Sequence, residues 1–158
     1  MESALNFIRV QSSDLIVKPL IGGAYATILD PKNLEEKFRN WGPLILQERI
    51  FGQNCRVLYF KKQPLKAFIA PPLEEVDWRE RDSLSWQPFE LPQDFKTKLL
   101  HFFELSKHTM SSADLIVNPD NIYFIEANTT PSWLDLSKQH AAEQTHLVAQ
   151  FFLGITNP

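Results

Sequence analysis

Two carboxylates and one carboxamide in the last third of the chain are the residues best placed to do chemistry. Asp114, Glu126 and Asn128 lie at the ends of two short apolar runs that the segment 118–121 joins. Both runs are rich in β-branched and aromatic residues, and Asn-Pro-Asp-Asn is a turn sequence. The pattern therefore predicts a β-hairpin with oxygen-bearing side chains at its open end.

The length of the turn decides whether these side chains meet. If the loop contains the three residues 119–121, Asp114 lies opposite Glu126 with about 5 Å between the two side chains. Asn128, two residues further on, then points to the same face as Glu126. A loop of two or four residues would break this alignment, and the acids would then be solvated on a polar rim of the hairpin.

Two carboxylates that face each other repel unless a positive charge lies between them. A set made of Asp, Glu and Asn offers only oxygen ligands, which suit Mg²⁺ or Mn²⁺ rather than zinc. The hairpin therefore predicts a site for Mg²⁺ that carries a phosphate, held by Asp114, Glu126 and Asn128.

Composition restricts the classes of protein to which the chain can belong. Its 158 residues, 44% of them hydrophobic, suffice for one domain or two small lobes. No apolar run approaches the roughly 20 residues that cross a bilayer, and no secretory signal is visible, so we expect a cytoplasmic protein without a membrane partner. The single cysteine, Cys55, excludes an internal disulfide and suits a buried strand position. A net charge of -3 without a dense Lys/Arg block argues against nucleic acid.

Strands follow one another mostly as hairpins, with helices between them. This order predicts the α+β class with largely antiparallel sheets. The proline-rich segment 71–92 reads as a long loop, either a functional lid or disordered. The predicted elements are strands at 14–20, 24–29, 44–50, 56–60 and 65–69, a short helix that begins at Asp30-Pro31, a helix at 93–107, the hairpin 114–128 and a last helix at roughly 141–153.

Polar residues in two earlier strands could bind a nucleotide. Lys18 lies in an apolar strand shortly before Gly22-Gly23, where it could neutralise phosphates that the backbone approaches. From these residues alone the signal is weak, and a lysine on an edge strand is the alternative. Gln47-Glu48 ends a strand just before a glycine, where backbone groups could read a base and a carboxylate could hold a ribose. The alternative there is an exposed polar strand end.

Two arginines could clamp a phosphate or a carboxylate in bidentate fashion. Arg56 begins an apolar strand, and Arg79 lies beside Trp78 in the proline-rich loop. Because loop arginines are mostly solvated, a solvent-exposed Arg79 stays an alternative.

Taken in order, these segments resemble the catalytic core of the ATP-grasp carboxylate–amine ligases. Within that superfamily the chain is most similar to the ribosomal-peptide macrocyclases of the microviridin or graspetide type, from about residue 5 to residue 153. The matching segments are Val17-Lys18-Pro19 with its glycine turn, Gln47-Glu48-Arg49-Ile50, Gly52-x-x-x-Arg56-Val57, Val76-Asp-Trp-Arg79, Glu90-Leu-Pro92, Asp114-Leu-Ile-Val117 and Phe124-Ile-Glu126-Ala-Asn128.

The resemblance implies an ATP-grasp core of two small lobes with mainly antiparallel sheets and flanking helices. Residues 1–50 would form part of a central lobe that ends in the adenine hinge. Residues 51–158 would form the C-terminal lobe, with the metal site and a lid-like loop at 71–92.

The resemblance also implies ATP and Mg²⁺ (or Mn²⁺) as cofactors. A substrate carboxylate on a peptide would attack ATP to give an acyl phosphate, from which an amine or hydroxyl displaces phosphate. The implied roles are α- and β-phosphate contact for Lys18, a mobile flap for Gly22 and Gly23, adenine recognition for Gln47, Glu48, Arg49 and Ile50, metal binding for Asp114, Glu126 and Asn128, and stabilisation of the γ-phosphoryl group for Arg56 and Arg79.

Two departures from the family pattern affect these expectations. Asn54 stands where the family has an aspartate near the hinge. The family's N-terminal lobe and first phosphate-binding lysine have no counterpart, so we expect a piece of a longer protein, one component of a split assembly, or a remnant without catalysis. Self-association through exposed apolar surface is then expected. The alternatives to a ligase are a module that binds nucleotide or a protein partner without turnover, and an interaction domain without nucleotide function.

Overall fold

The computed structural model describes residues 6–8, 14–21, 25–81, 84–134, 136 and 138–154. The chain divides into two compact units. The first comprises Met1–Phe51 and Leu73–Asp82, and the second comprises Gly52–Pro72 and Ser83–Pro158. Part of the proline-rich segment thus belongs to the first unit.

The first unit contains a three-stranded antiparallel sheet in the order β2-β1-β3. Its strands are β1 (Leu15–Pro19), β2 (Thr27–Ile28) and β3 (Leu44–Glu48). A 3-10 turn at Pro31–Asn33 leads into helix α1 (Leu34–Trp41). Asp30 caps this turn, because its Oδ1 accepts a hydrogen bond of 2.9 Å from the Lys32 amide.

The second unit contains a five-stranded antiparallel sheet in the order β6-β5-β4-β7-β8. It also contains two helices, α2 (Gln93–Leu105) and α3 (Lys138–Phe152). The strands are β4 (Gln53–Phe60), β5 (Lys66–Ile69), β6 (Gln87–Pro88), β7 (Met110–Val117) and β8 (Ile122–Asn128).

One face of this sheet packs against α2 to form the core of the second unit. Cys55, Val57 and Tyr59 of β4 point to this face, and the Tyr59 ring stacks on Phe103 with 4.4 Å between centroids. Burial, reinforced by the nearby Asp114 carboxylate, raises the pKa of the Cys55 thiol to about 12. Cys55 is therefore a core residue, as predicted, and not a thiolate.

The opposite face of the same sheet carries the alternate residues of each strand. Phe60 of β4 contacts Trp133 and Phe151, with ring centroids 6.4 and 6.1 Å away. Arg56, four residues earlier in β4, points to the same face because side chains alternate along a strand.

The predicted α+β class with mainly antiparallel sheets is confirmed. Several predicted boundaries are wrong by a few residues. β3 ends at Glu48 instead of residue 50, α1 follows a 3-10 turn, and α3 begins at Lys138 instead of residue 141. No helix in the described ranges has the length and apolar character to cross a membrane.

Gly52 should be essential for packing in the second unit. An added Cβ would lie 2.6 Å from both Ile116 Cγ2 and the Val117 carbonyl oxygen. Because a backbone atom cannot move aside cheaply, Gly52→Ala should lower the free energy of unfolding by about 2 kcal/mol or more. Urea denaturation measures this loss.

Gly154→Ala is the matched control for this substitution. Gly154 has a φ of 69°, but a Cβ there would meet no atom within 4 Å. The control should cost only about 1 kcal/mol, from the left-handed backbone. Equal losses for the two variants would contradict the steric explanation.

Candidate functional site

The hairpin that carries the three oxygen-bearing residues has a four-residue loop. Val117 pairs with Ile122, so residues 118–121 form the loop. The Asn118 side chain closes it, because its Oδ1 accepts hydrogen bonds from the amides of Asp120 and Asn121 at 3.1 and 2.8 Å. The three-residue loop on which the alignment was conditional does not form, because the Asn118 amide donates to the Asn121 carbonyl at 3.0 Å and the strand pairing begins at Val117 and Ile122.

A β-bulge restores the alignment that the longer loop would otherwise have broken. Leu115 pairs with Phe124, whereas Asp114 pairs with Glu126, so Ile125 is an extra residue in β8. The predicted pairing of Asp114 with Glu126 is therefore confirmed, although the loop and the bulge each differ from the prediction by one residue.

Arg56, Asp114 and Glu126 form one row across three neighbouring strands, on the face opposite the α2 core. Arg56 pairs with Asp114 across β4 and β7, and Asp114 pairs with Glu126 across β7 and β8. Directly paired residues of adjacent strands point to the same face of a sheet. The row therefore contains one positive and two negative side chains side by side.

The Arg56 guanidinium holds the Asp114 carboxylate in bidentate fashion. Nε donates to Oδ1 at 2.9 Å and Nη2 donates to Oδ2 at 3.3 Å. The two side chains are only 9% and 22% exposed, so the pair is largely removed from water. Nη1 also donates to the Ser132 carbonyl at 3.4 Å. Arg56 thus supplies the positive charge that a carboxylate in this row requires.

Glu126 and Asn128 contact each other at the end of β8. The Asn128 Nδ2 donates to Glu126 Oε1 at 3.0 Å, as expected for side chains two residues apart on one face. Glu126 is exposed and Asn128 is half-buried.

These residues are of the types that bind hard divalent cations in proteins. Asp114, Glu126 and the Oδ1 of Asn128 offer oxygen ligands from one face, which suit Mg²⁺ or Mn²⁺. Among the described residues, no group of three His, Cys, Asp or Glu side chains could hold a metal ion. The candidate set is therefore two carboxylates and a carboxamide rather than a carboxylate or thiolate cage.

In the first unit, the predicted nucleotide residues lie on β1 and at the end of β3. Lys18 pairs with Ile45 and is half-buried, on the face opposite the fully buried Val17. Gln47 and Glu48 are the last residues of β3, and Glu48 is exposed. Gly22 and Gly23, the predicted flap, lie outside the described residues.

The segment that follows β3 is fixed by Arg49. Its amide donates to the Asp14 carbonyl at 2.8 Å, and its Nη2 donates to the Glu74 carbonyl at 3.2 Å. The guanidinium also lies over the Phe51 ring, 4.5 Å from the centroid. These contacts hold the predicted hinge residues Gln47 to Ile50 in a defined conformation.

Arg79 is bound to a buried carboxylate that the sequence analysis missed. Asp77 caps the 3-10 turn Trp78–Glu80 and accepts from Arg79 Nε at 2.8 Å and Nη2 at 2.5 Å. Its Oδ2 also accepts from the Ala26 amide at 2.9 Å, so it links the segment 73–82 to the start of β2. The signal that could have revealed it was an aspartate directly before Trp-Arg-Glu, an N-cap pattern.

Burial raises the pKa of Asp77, but the hydrogen bonds from the Arg79 side chain and from the Ala26 and Arg79 amides outweigh it, and the net pKa is lowered. Asp77 therefore stays ionised at neutral pH.

No known family model and no curated protein sequence matches the chain. Its structure nevertheless resembles those of solved ATP-grasp ligases. A Chryseobacterium gregarium RiPP-associated ATP-grasp ligase, in complex with ADP and a leader and core peptide, is 24% identical with a TM-score of 0.70. The similarity covers 84% of this chain and 45% of that ligase.

Two further structures extend this comparison. The ATP-grasp ligase PsnB, complexed with minimal precursor, Mg and ADP, has a TM-score of 0.69 at 22% identity, over 96% of this chain and 51% of PsnB. The macrocyclase MdnC from Microcystis aeruginosa MRC, bound with the precursor peptide MdnA, has a TM-score of 0.68 at 19% identity, over 84% of this chain and 45% of MdnC. The chain has the ATP-grasp fold and spans about half the length of these proteins.

Asp77 should make the stability of the protein depend on pH. Because its folded-state pKa is below the unfolded value, its contribution is complete above about pH 4 and is lost as the pH falls through the folded pKa. Asp77→Asn should therefore reduce the acid-dependent loss of unfolding free energy below about pH 4. Urea denaturation at a series of pH values measures this, with the exposed Asp120→Asn as control. A control that flattens the profile equally would contradict the assignment.

The Arg56–Asp114 pair should show strong energetic coupling. Removing one partner leaves the other charge uncompensated in a partly buried position, so Arg56→Met and Asp114→Asn should each destabilise the protein by about 2 kcal/mol or more. The double variant should recover about 1 to 3 kcal/mol relative to the sum of the single losses. Additive losses in a double-mutant cycle would mean that the two side chains do not interact in solution.

Proposed function

We propose that the chain is the core of an ATP- and Mg²⁺-dependent ligase that joins a carboxylate to an amine, or to a hydroxyl as an ester, and that acts on a peptide. The observation that carries the proposal is the row Arg56, Asp114 and Glu126, with Asn128 beside it, on one face of a sheet in an ATP-grasp fold. In this row the exposed carboxylate of Glu126 lies beside a largely buried and oriented carboxylate, so two negative charges are presented on one face of the sheet.

The proposed nucleotide contacts lie in the first unit. The half-buried Lys18 would neutralise the α and β phosphates, and Gly22 and Gly23, which lie outside the described residues, would form the flap above them. Backbone groups from Gln47 to Ile50 would read adenine, with the exposed carboxylate of Glu48 free to hold the ribose. The contacts of Arg49 support this role, because a fixed backbone recognises a base without an ordering cost.

The proposed metal ligands lie in the second unit. Asp114, Glu126 and Asn128 would hold Mg²⁺ or Mn²⁺, which would neutralise phosphate charge during phosphoryl transfer. Arg56 orients the Asp114 carboxylate before any metal arrives. Such preorganisation reduces the reorganisation that binding requires.

In the proposed reaction a carboxylate oxygen of the substrate attacks the γ-phosphorus of ATP, and ADP leaves. The amine or hydroxyl of the second substrate then attacks the acyl carbon, loses its proton to solvent or a base, and expels phosphate. Arg56 and Arg79 would stabilise negative charge on the transferring group and on the acyl phosphate. Catalysis would depend on positioning and electrostatics.

Peptides are proposed as substrates because the similar ligases were solved with precursor peptides. The two-lobe division at residue 50, the lid role of residues 71–92, a separate N-terminal lobe, self-association and a cytoplasmic location stay predictions that belong to the same proposal.

A nucleotide-binding module without turnover is the second candidate function. It is favoured by the ion pairs of both arginines, Arg56 with Asp114 and Arg79 with Asp77. Each pair reduces the positive charge available to a phosphoryl group. If these pairs persist in the nucleotide complex, the chain would bind ATP but would not transfer its γ-phosphate.

The Mg²⁺-dependent part of nucleotide binding should depend on Glu126. Calorimetry should detect ATP binding that Mg²⁺ strengthens, and Glu126→Gln should weaken the Mg²⁺-dependent part by about tenfold, or 1.4 kcal/mol. Glu104→Gln, an exposed carboxylate on α2, should bind like the wild type. Absence of ATP-Mg²⁺ binding by the wild type would overturn both candidate functions.

Turnover separates the two candidates. A ligase core should release ADP in a carboxylate-dependent reaction that Glu126→Gln abolishes. Binding without ADP release, even with a separately supplied N-terminal lobe, would identify the chain as the non-catalytic module.

A further inference from the structure

Ser111 is a fully buried hydroxyl directly behind the candidate metal site. It is the second residue of β7, it pairs with Tyr59, and it has no exposed surface. Its side chain points to the α2 face, because it lies two residues before the core residue Ala113. A hydroxyl in such an apolar environment destabilises the fold unless it is hydrogen-bonded.

The hydrogen bond of Ser111 reaches the last residue of the neighbouring strand. Its Oγ donates to the Asn128 carbonyl oxygen at 2.8 Å. The Ser112 carbonyl lies at 3.4 Å, which is a much poorer distance for the single hydroxyl proton. The buried hydroxyl therefore donates its proton to the Asn128 carbonyl and not to that of Ser112.

The Asn128 side chain continues this connection on the other face of the sheet. Ala127 packs against the α2 core, so Asn128 points the opposite way, where its Nδ2 donates to Glu126 Oε1 at 3.0 Å. Because Nδ2 is directed at Glu126, Oδ1 is the atom left for a cation. The contacts run from Ser111 through the backbone of Asn128 to both candidate ligands of β8.

We propose that Ser111 is a positioning residue of the metal site, which fixes the end of β8 so that Asn128 and Glu126 present their oxygens together. β8 ends at Asn128, and residues at strand ends lose the support of a continuing ladder. The Ser111 hydroxyl supplies an additional hydrogen bond at this strand end, and it is fully buried, so it does not contact a bound ligand itself. This role rests on the proposed function, since it concerns the same metal ligands.

The test uses Mn²⁺ as the probe, in the presence of ATP, with binding followed by electron paramagnetic resonance. Ser111→Ala should weaken Mn²⁺ binding by about fivefold, the effect of one lost hydrogen bond. Ser111→Thr, which keeps the hydroxyl, should bind within about twofold of the wild type on the same scale. Val57→Ala removes side-chain volume from the same core face and should leave Mn²⁺ binding unchanged.

A second measurement needs neither metal nor nucleotide. Exchange of the Asn128 side-chain amide with water, followed by NMR, should be faster in Ser111→Ala and near wild type in Ser111→Thr and Val57→Ala. Unchanged amide exchange, or equal loss of Mn²⁺ affinity in Ser111→Ala and Val57→Ala, would overturn the positioning role alone. A wild type that binds no Mn²⁺ with ATP would instead overturn the proposed function, and the metal-site role of Ser111 with it.

Discussion

The ion pair between Arg56 and Asp114 is the interaction on which the candidate site depends. A charged pair this far removed from water is stable only when both partners are present and well oriented, and the bidentate geometry provides both conditions. The pair joins the central strand β4 to β7 and places a carboxylate next to Glu126. Metal binding and phosphoryl transfer, the properties proposed for the second unit, both depend on this oriented carboxylate and on the guanidinium that balances its charge.

The candidate site also depends on the β-bulge at Ile125. Side chains alternate along a strand, so a shift of one residue would turn Glu126 and Asn128 toward the α2 core. The bulge absorbs the extra loop residue and keeps both side chains on the face of Asp114. Bulges are common next to functional sites because they redirect a side chain without unfolding the sheet. Ser111 then holds the end of the same strand from behind.

Much of the fold and part of the site could be predicted from sequence. The β-branched and aromatic residues of 115–117 and 122–125, on either side of a turn sequence, identified the hairpin, and the single cysteine was correctly placed in the core. The carboxylate pairing was also correct, but the reasoning behind it was not, because the loop length and the bulge compensated for each other. The role of Asp77 was not predicted, because one of its hydrogen bonds comes from the Ala26 amide, which is 51 positions away in the chain.

The sequence by itself determined which elements form and which residue types are available, because strand alternation, turn residues and caps are local properties. It could establish that Asp114, Glu126 and Asn128 offer hard oxygen ligands. Only the tertiary structure decided which charges meet. Arg56 and Asp114 are separated by 58 positions, and Ser111 and Asn128 by 17, so strand register and not local pattern brings them into contact. Hydrogen bonds act over about 3 Å, and one residue of register decides whether they form.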